Sequence, residues 1–135
     1  MSFNEPDMSF MRVIRGIGYS FAGVAVLIRT QRSARIHLIF TILVFVLAAS
    51  LRLPAGDWCW LLLAMAMVWT AESANTAIEF LSDIVNPNYH EGIKHTKDVA
   101  AAAVFFAVAG AITIGFIVFA PPLWARLAAL IGRTP

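Results

Sequence analysis

Residues 99–120 read VAAAAVFFAVAGAITIGFIVFA, twenty-two residues without a charge. About 20 consecutive apolar residues cross the hydrocarbon core of a bilayer as a helix. Two further apolar runs, Ile36 to Leu51 and Trp58 to Thr70, precede it. Both are short if cut at the flanking charges. Each extends as a helix, the first backwards through Arg29 to Arg35 and the second forwards through Glu72 to Ile84. Backbone N–H and C=O groups in lipid must be bonded internally, so a spanning segment is a helix or part of a closed barrel. None of the runs alternates with period 2, which selects helices. The composition agrees: 60% of residues are hydrophobic and 13% charged, with a mean hydropathy of +0.78. Soluble domains carry about 25% charged residues, so a soluble fold is excluded. The expectation is an all-α integral membrane protein, one domain over 1–135, with spans at about 36–52, 57–84 and 98–120.

Working outward, Val13, Ile14, Ile17, Phe21, Val24 and Leu27 recur at helical spacing, while Arg12, Arg15 and Ser20 lie off that stripe. This predicts an amphipathic helix on the membrane surface over about 10–34. Gly16, Gly18 and Gly23 mark places where another backbone or a ligand can come close, or where the helix packs on the spans. Basic residues orient the chain, because Lys and Arg stay cytoplasmic. Arg12, Arg15, Arg29, Arg32, Arg35, Lys94 and Lys97 fall on one side, and only Arg52, Arg126 and Arg133 on the other. A multi-pass protein of a bacterial cytoplasmic (inner) membrane follows, its N-terminus in the cytoplasm and its C-terminus outside. The net charge of +2 then reflects topology and anionic lipid, not a nucleic-acid surface. Glu5, Pro6 and Asp7 stand where a cleavable leader needs an apolar core, so none is expected. Cys59 is single, which removes disulfide and Cys-rich metal readings, and it is expected in the core.

Pro54 and Gly56 predict a tight turn between the first two spans. Residues 86–98, from Asn-Pro-Asn through Tyr89, His90, Glu91, Lys94, His95, Lys97 and Asp98, form the most polar stretch and are expected as a cytoplasmic loop. Just before it, Glu72, Asn75, Glu79 and Asp83 recur at intervals of three, four and four, which puts them on one helix face. Ionisable groups at membrane depth are expensive and point to function. A hydrogen-bond network that only joins helices is the alternative. Three carboxylates on one face call for a cation, and oxygen ligands with lysines nearby suit Mg²⁺ carrying nucleotide phosphates, neutralised further by Lys94 and Lys97. No Gly-rich loop of the Walker or protein-kinase type is present.

The run Glu72-Ser-Ala-Asn-Thr-Ala-Ile-Glu79, then Asp83, then Lys97-Asp98-Val-Ala-Ala-Ala-Ala-Val104, closely resembles the prokaryotic diacylglycerol kinase family, which includes the undecaprenol kinases. The likeness runs from about Arg12 to Phe119 and takes in the Tyr19 region and Arg35-Ile36-His37. It implies a three-span homotrimer with a surface helix, in which ATP, Mg²⁺ and lipid meet at sites shared between subunits. By position, Glu72 resembles the general base that deprotonates the lipid hydroxyl, and Glu79 the metal-binding glutamate. Asn75 and Asp83 fall beside the phosphates, Lys97 and Asp98 resemble a nucleotide-binding pair, and Arg12, Tyr19 and His90 occupy nucleotide-contacting positions. The family pattern has a second metal-binding Glu where this chain has Gln31. An amide oxygen lacks the charge, so Gln31 is expected to be a weak metal ligand.

The expected activity is phosphorylation of a membrane lipid alcohol by ATP at the cytoplasmic face. Arg35-Ile36-His37 looks like the undecaprenol kinases and Tyr89-His90-Glu91 like the diacylglycerol kinases, with the balance slightly towards undecaprenol. Two other classes compete. A trimer of the same fold that binds nucleotide or metal without efficient turnover is motivated by Gln31. A channel or transporter fits the acidic face but not the lysines, and three spans give no inverted repeat.

Overall fold

The computed structural model describes the backbone of residues 7–132 and the side chains from Met11 onward. Residues 1–6, part of the leader reading, and Arg133 of the charge count lie outside the described residues. The described residues form four helices: α1 (Asp7–Thr30), α2 (Arg32–Leu51), α3 (Ala55–Val85) and α4 (Glu91–Ile131). All four are long and apolar enough to cross a membrane, so length and composition alone do not set α1 apart. The chain forms two compact units, the first ending at Arg32 and the second beginning at Ser33.

The first unit is α1. Its apolar stripe of Val13, Ile14, Ile17, Phe21 and Val24 is exposed. Ser20 and Thr30 hydroxyls donate to the carbonyls four residues back, Gly16 and Val26, at 3.0 and 2.9 Å, which keeps both polar groups satisfied within the helix. The helix breaks at Gln31, whose N–H still donates to the Leu27 carbonyl at 2.9 Å.

The second unit packs α2, α3 and α4 with alternating direction. Near the turn between α2 and α3, Ala48, Leu61, Val118 and Phe119 form the core, joined by Leu51, Trp58 and Ile114. Phe45 and Trp58 meet across the α2–α3 contact with ring centroids 5.7 Å apart and planes tilted by 48°. Phe105, Phe106, Ile112, Phe116 and Ile117 on α4 remain exposed, a surface too apolar for water and suited to lipid.

Several sequence expectations change here. The α2–α3 turn owes its shape to Arg52, not Gly56, which lies inside α3. Arg52 has φ of 55°, its N–H donates to Ala49 and the N–H of Leu53 to Ala48, the double closure of a helix C-terminus. Of residues 86–98, only 86–90 is loop, because α4 starts at Glu91. His90 supplies the extended cap, Glu91 favours the first turn, and Lys94 pairs with Asp98 one turn on. At its other end α4 runs through Pro121 and Pro122 to Ile131. Proline removes two N–H donors but keeps a helical φ, and the following Leu-Trp-Ala-Arg-Leu-Ala-Ala-Leu are good helix formers. Arg126 then reaches back to the Ser50 carbonyl at 2.7 Å, covering an open end of α2. Cys59 is exposed, because it lies about 200° around α3 from the core residue Leu61.

Candidate active site

On α3 the face predicted from spacing turns inward at Glu72 and Asn75 and reaches the surface at Asp83. Glu72 is 2% exposed and Asn75 9%. The Ser33 hydroxyl of α2 donates to Glu72 Oε1, and His37 Nε2 stands 3.7 Å from Oε2. One helical turn along α3, Asn75 Nδ2 donates to Glu79 Oε1 at 2.9 Å. At the end of the helix, Asp83 accepts from Lys97 of α4 at 2.5 Å. Each carboxylate therefore has its own partner, and only the outermost is matched by a full positive charge.

This arrangement separates residues that the sequence grouped. Lys97 pairs with Asp83, while Asp98 is taken by Lys94 at 2.8 Å. Exposed pairs of this kind contribute little, being screened by water and salt, so phosphate oxygens can replace the carboxylates on either lysine at little cost. His90 caps α4, and its ring lies against Gly92. Arg12 and Tyr19 lie seven residues apart on α1, on one face. Gln31 stands at the break after α1. Among the described residues, no three His, Cys, Asp or Glu side chains converge to hold a metal.

The donors nonetheless suit a hard cation. Asn75 Oδ1 is buried and has no hydrogen-bond partner, although its amide nitrogen binds Glu79. A buried acceptor left open beside a carboxylate provides two oxygens, and Mg²⁺ characteristically takes one or two protein ligands and completes its shell with water and phosphate. Thr76 Oγ1 is a second buried polar atom without a partner on this stretch of α3.

Ser33 and His37 are the residues that sequence reasoning missed as members of the site. His37 also lines an apolar cavity of about 460 Å³ between α2, α3 and α4, with Phe40, Val44, Val108 and Ile112. The signal for them was weak: one Ser and one His four residues apart at the start of an apolar run.

Long apolar helices, with a carboxylate face on α3 that runs from the buried Glu72 to the exposed Asp83, define a helical membrane protein. Residues 18–119 match the family described as prokaryotic diacylglycerol kinase, and the chain belongs to that family. A Synechocystis sp. protein named diacylglycerol kinase is 39% identical over 106 residues, covering 78% of this chain and 61% of the relative. The chain thus spans less than two thirds of that relative's length. The Bacillus subtilis undecaprenol kinase is 30% identical over 113 residues, 83% of this chain and 91% of the relative. The Escherichia coli diacylglycerol kinase is 30% identical over 99 residues, 73% and 81% respectively.

Proposed function

We propose that this chain is an ATP-dependent lipid kinase that phosphorylates a lipid alcohol, undecaprenol or diacylglycerol, at the cytoplasmic face of a bacterial inner membrane. The observation that carries the reading is a continuity: the nearly fully buried Glu72 meets His37, and His37 lines the apolar cavity beside it. A hydrocarbon chain in such a cavity would bring its hydroxyl towards a carboxylate. Glu72 Oε2 accepts the hydroxyl proton while the hydroxyl oxygen bonds the γ-phosphorus, and ADP leaves with the bridging electron pair. Asn75 Oδ1 and Glu79 would hold Mg²⁺, whose charge would neutralise the phosphates. Lys94 and Lys97 bind the phosphates beside Asp83 and Asp98, with Arg12, Tyr19 and His90 at the nucleotide. Gln31 adds at most a weak second metal contact.

We read α1 as a surface helix and α2 to α4 as spans. If α1 also crossed, the basic residues would divide five against five, with Arg12, Arg15, Arg52, Arg126 and Arg133 on one side. Three spans divide them seven against three, the asymmetry that orients membrane proteins. We also read the chain as a homotrimer with sites shared between subunits, the arrangement that the family resemblance implies. Neither the family match nor the relatives support a chain that binds without turnover. One assay tests the reading: incubation in mixed micelles with ATP, Mg²⁺ and either undecaprenol or diacylglycerol. Phosphorylation of one of them is expected, and its identity fixes the acceptor. Failure with both overturns the kinase assignment.

A further inference from the structure

Ser33 and His37 lie one helical turn apart on α2 and address different oxygens of the same carboxylate. Ser33 donates to Oε1. His37 Nε2 faces Oε2 at 3.7 Å, beyond hydrogen-bond length but within the range of an ion pair. The terminal torsion of a glutamate is broad and two-fold, so a carboxylate has no fixed plane unless neighbours supply one. The segment that supplies it here is itself pinned. Trp69 Nε1, one turn before Glu72 on α3, donates to Thr41 Oγ1 at 3.1 Å, and Thr41 Oγ1 donates to the His37 carbonyl at 2.8 Å. His37 is thereby fixed at a junction, with its ring both near Glu72 and on the wall of the apolar cavity.

We propose that Ser33 and His37 are positioning residues that together fix the carboxylate of Glu72. Ser33 occupies Oε1, which leaves Oε2 to receive the acceptor's proton, and His37 sets the direction of Oε2 at the edge of the cavity. Neither residue takes the proton in this scheme. The proposal rests on Glu72 being the base. Its consequence is that both residues influence kcat only through Glu72 and leave the nucleotide side untouched.

The test is a double-mutant cycle on the full chain in mixed micelles, with kcat and the KM for ATP measured at saturating Mg²⁺. Ser33→Ala and His37→Leu should each lower kcat by about 10- to 100-fold, the range expected when a reacting group is misplaced. KM for ATP should stay within about two-fold, which is negligible beside a ten-fold step of 1.4 kcal/mol. His37→Gln, whose side-chain amide N–H can stand where Nε2 does, should recover most of the rate. In a Glu72→Gln background, where residual turnover is followed with radiolabelled ATP, the same changes should have almost no further effect. Equal losses in both backgrounds, parental kcat in both single variants, or a change confined to KM for ATP would overturn the proposal. If His37→Leu fails to fold, Ser33→Ala and the Gln variant carry the same comparison. Parental turnover of Glu72→Gln by itself would remove the base assignment beneath the proposal, which separates that failure from the others.

Discussion

Glu72 and Glu79 share a face of α3, yet seven residues at 1.5 Å each hold them roughly 10 Å apart, too far to bind one metal. Their surroundings also differ: Glu72 is held by Ser33 and His37 on α2, and Glu79 by the amide of Asn75, whose oxygen is left open. The two should therefore fail differently. Glu72→Gln should lose about 10²- to 10⁴-fold in turnover, the usual effect of removing a positioned base, while binding a non-hydrolysable ATP analogue with Mg²⁺ nearly as well as the parent. Glu79→Gln keeps an acceptor for Asn75 but loses the charge, so activity should collapse and return only in part at high Mg²⁺. Calorimetric titration with the analogue checks both. Equal loss of nucleotide binding would end this division of labour, and normal turnover of Glu79→Gln at low Mg²⁺ would end the metal assignment.

Among the elements, the end of α2 is strained in a way that α4 is not. Arg52 sits at φ of 55°, a left-handed conformation that costs a residue with a Cβ about 1–2 kcal/mol. Glycine adopts it freely but gains more freedom in the unfolded chain, worth about 0.4–1 kcal/mol. Arg52→Gly should accordingly stabilise the protein by up to about 1 kcal/mol, read as a higher Tm in detergent. A lower Tm would mean that the Arg52 side chain contributes more than its backbone costs. The prolines of α4 teach the complementary lesson. They do not end the helix, whose continuation to Ile131 is anchored from outside by Arg126 on the Ser50 carbonyl.

Across the whole molecule, the three-span reading places the N-terminus on the same side as residue 92, whereas a fourth crossing by α1 would separate them. Because Cys59 is exposed, it is replaced first, by Ala. Gly92→Cys in that background should resist a membrane-impermeant maleimide added to intact cells and react in inside-out vesicles. A reporter fused to the N-terminus should be active only in the cytoplasm. Labelling of position 92 from outside would leave the phosphate-binding lysines out of reach of ATP, and a reporter on the opposite side from position 92 would make α1 a span.

The helices and the polar face of α3 were legible without coordinates, because both depend on chain-local quantities. An uncharged run of twenty-two residues has to satisfy its backbone internally, and a fixed rotation per residue puts Glu72, Asn75, Glu79 and Asp83 in one column. Spacing along one helix carries no information about what another helix brings to it. That Ser33 and His37 would meet Glu72, thirty-nine residues from Ser33, was decided by how α2 packs on α3. So was the choice of Asp83 over Asp98 as the partner of Lys97, since the short loop 86–90 brings the first turns of α4 against the last turn of α3. Only that packing settles which donors each carboxylate finds, and it leaves Asn75 Oδ1 with none.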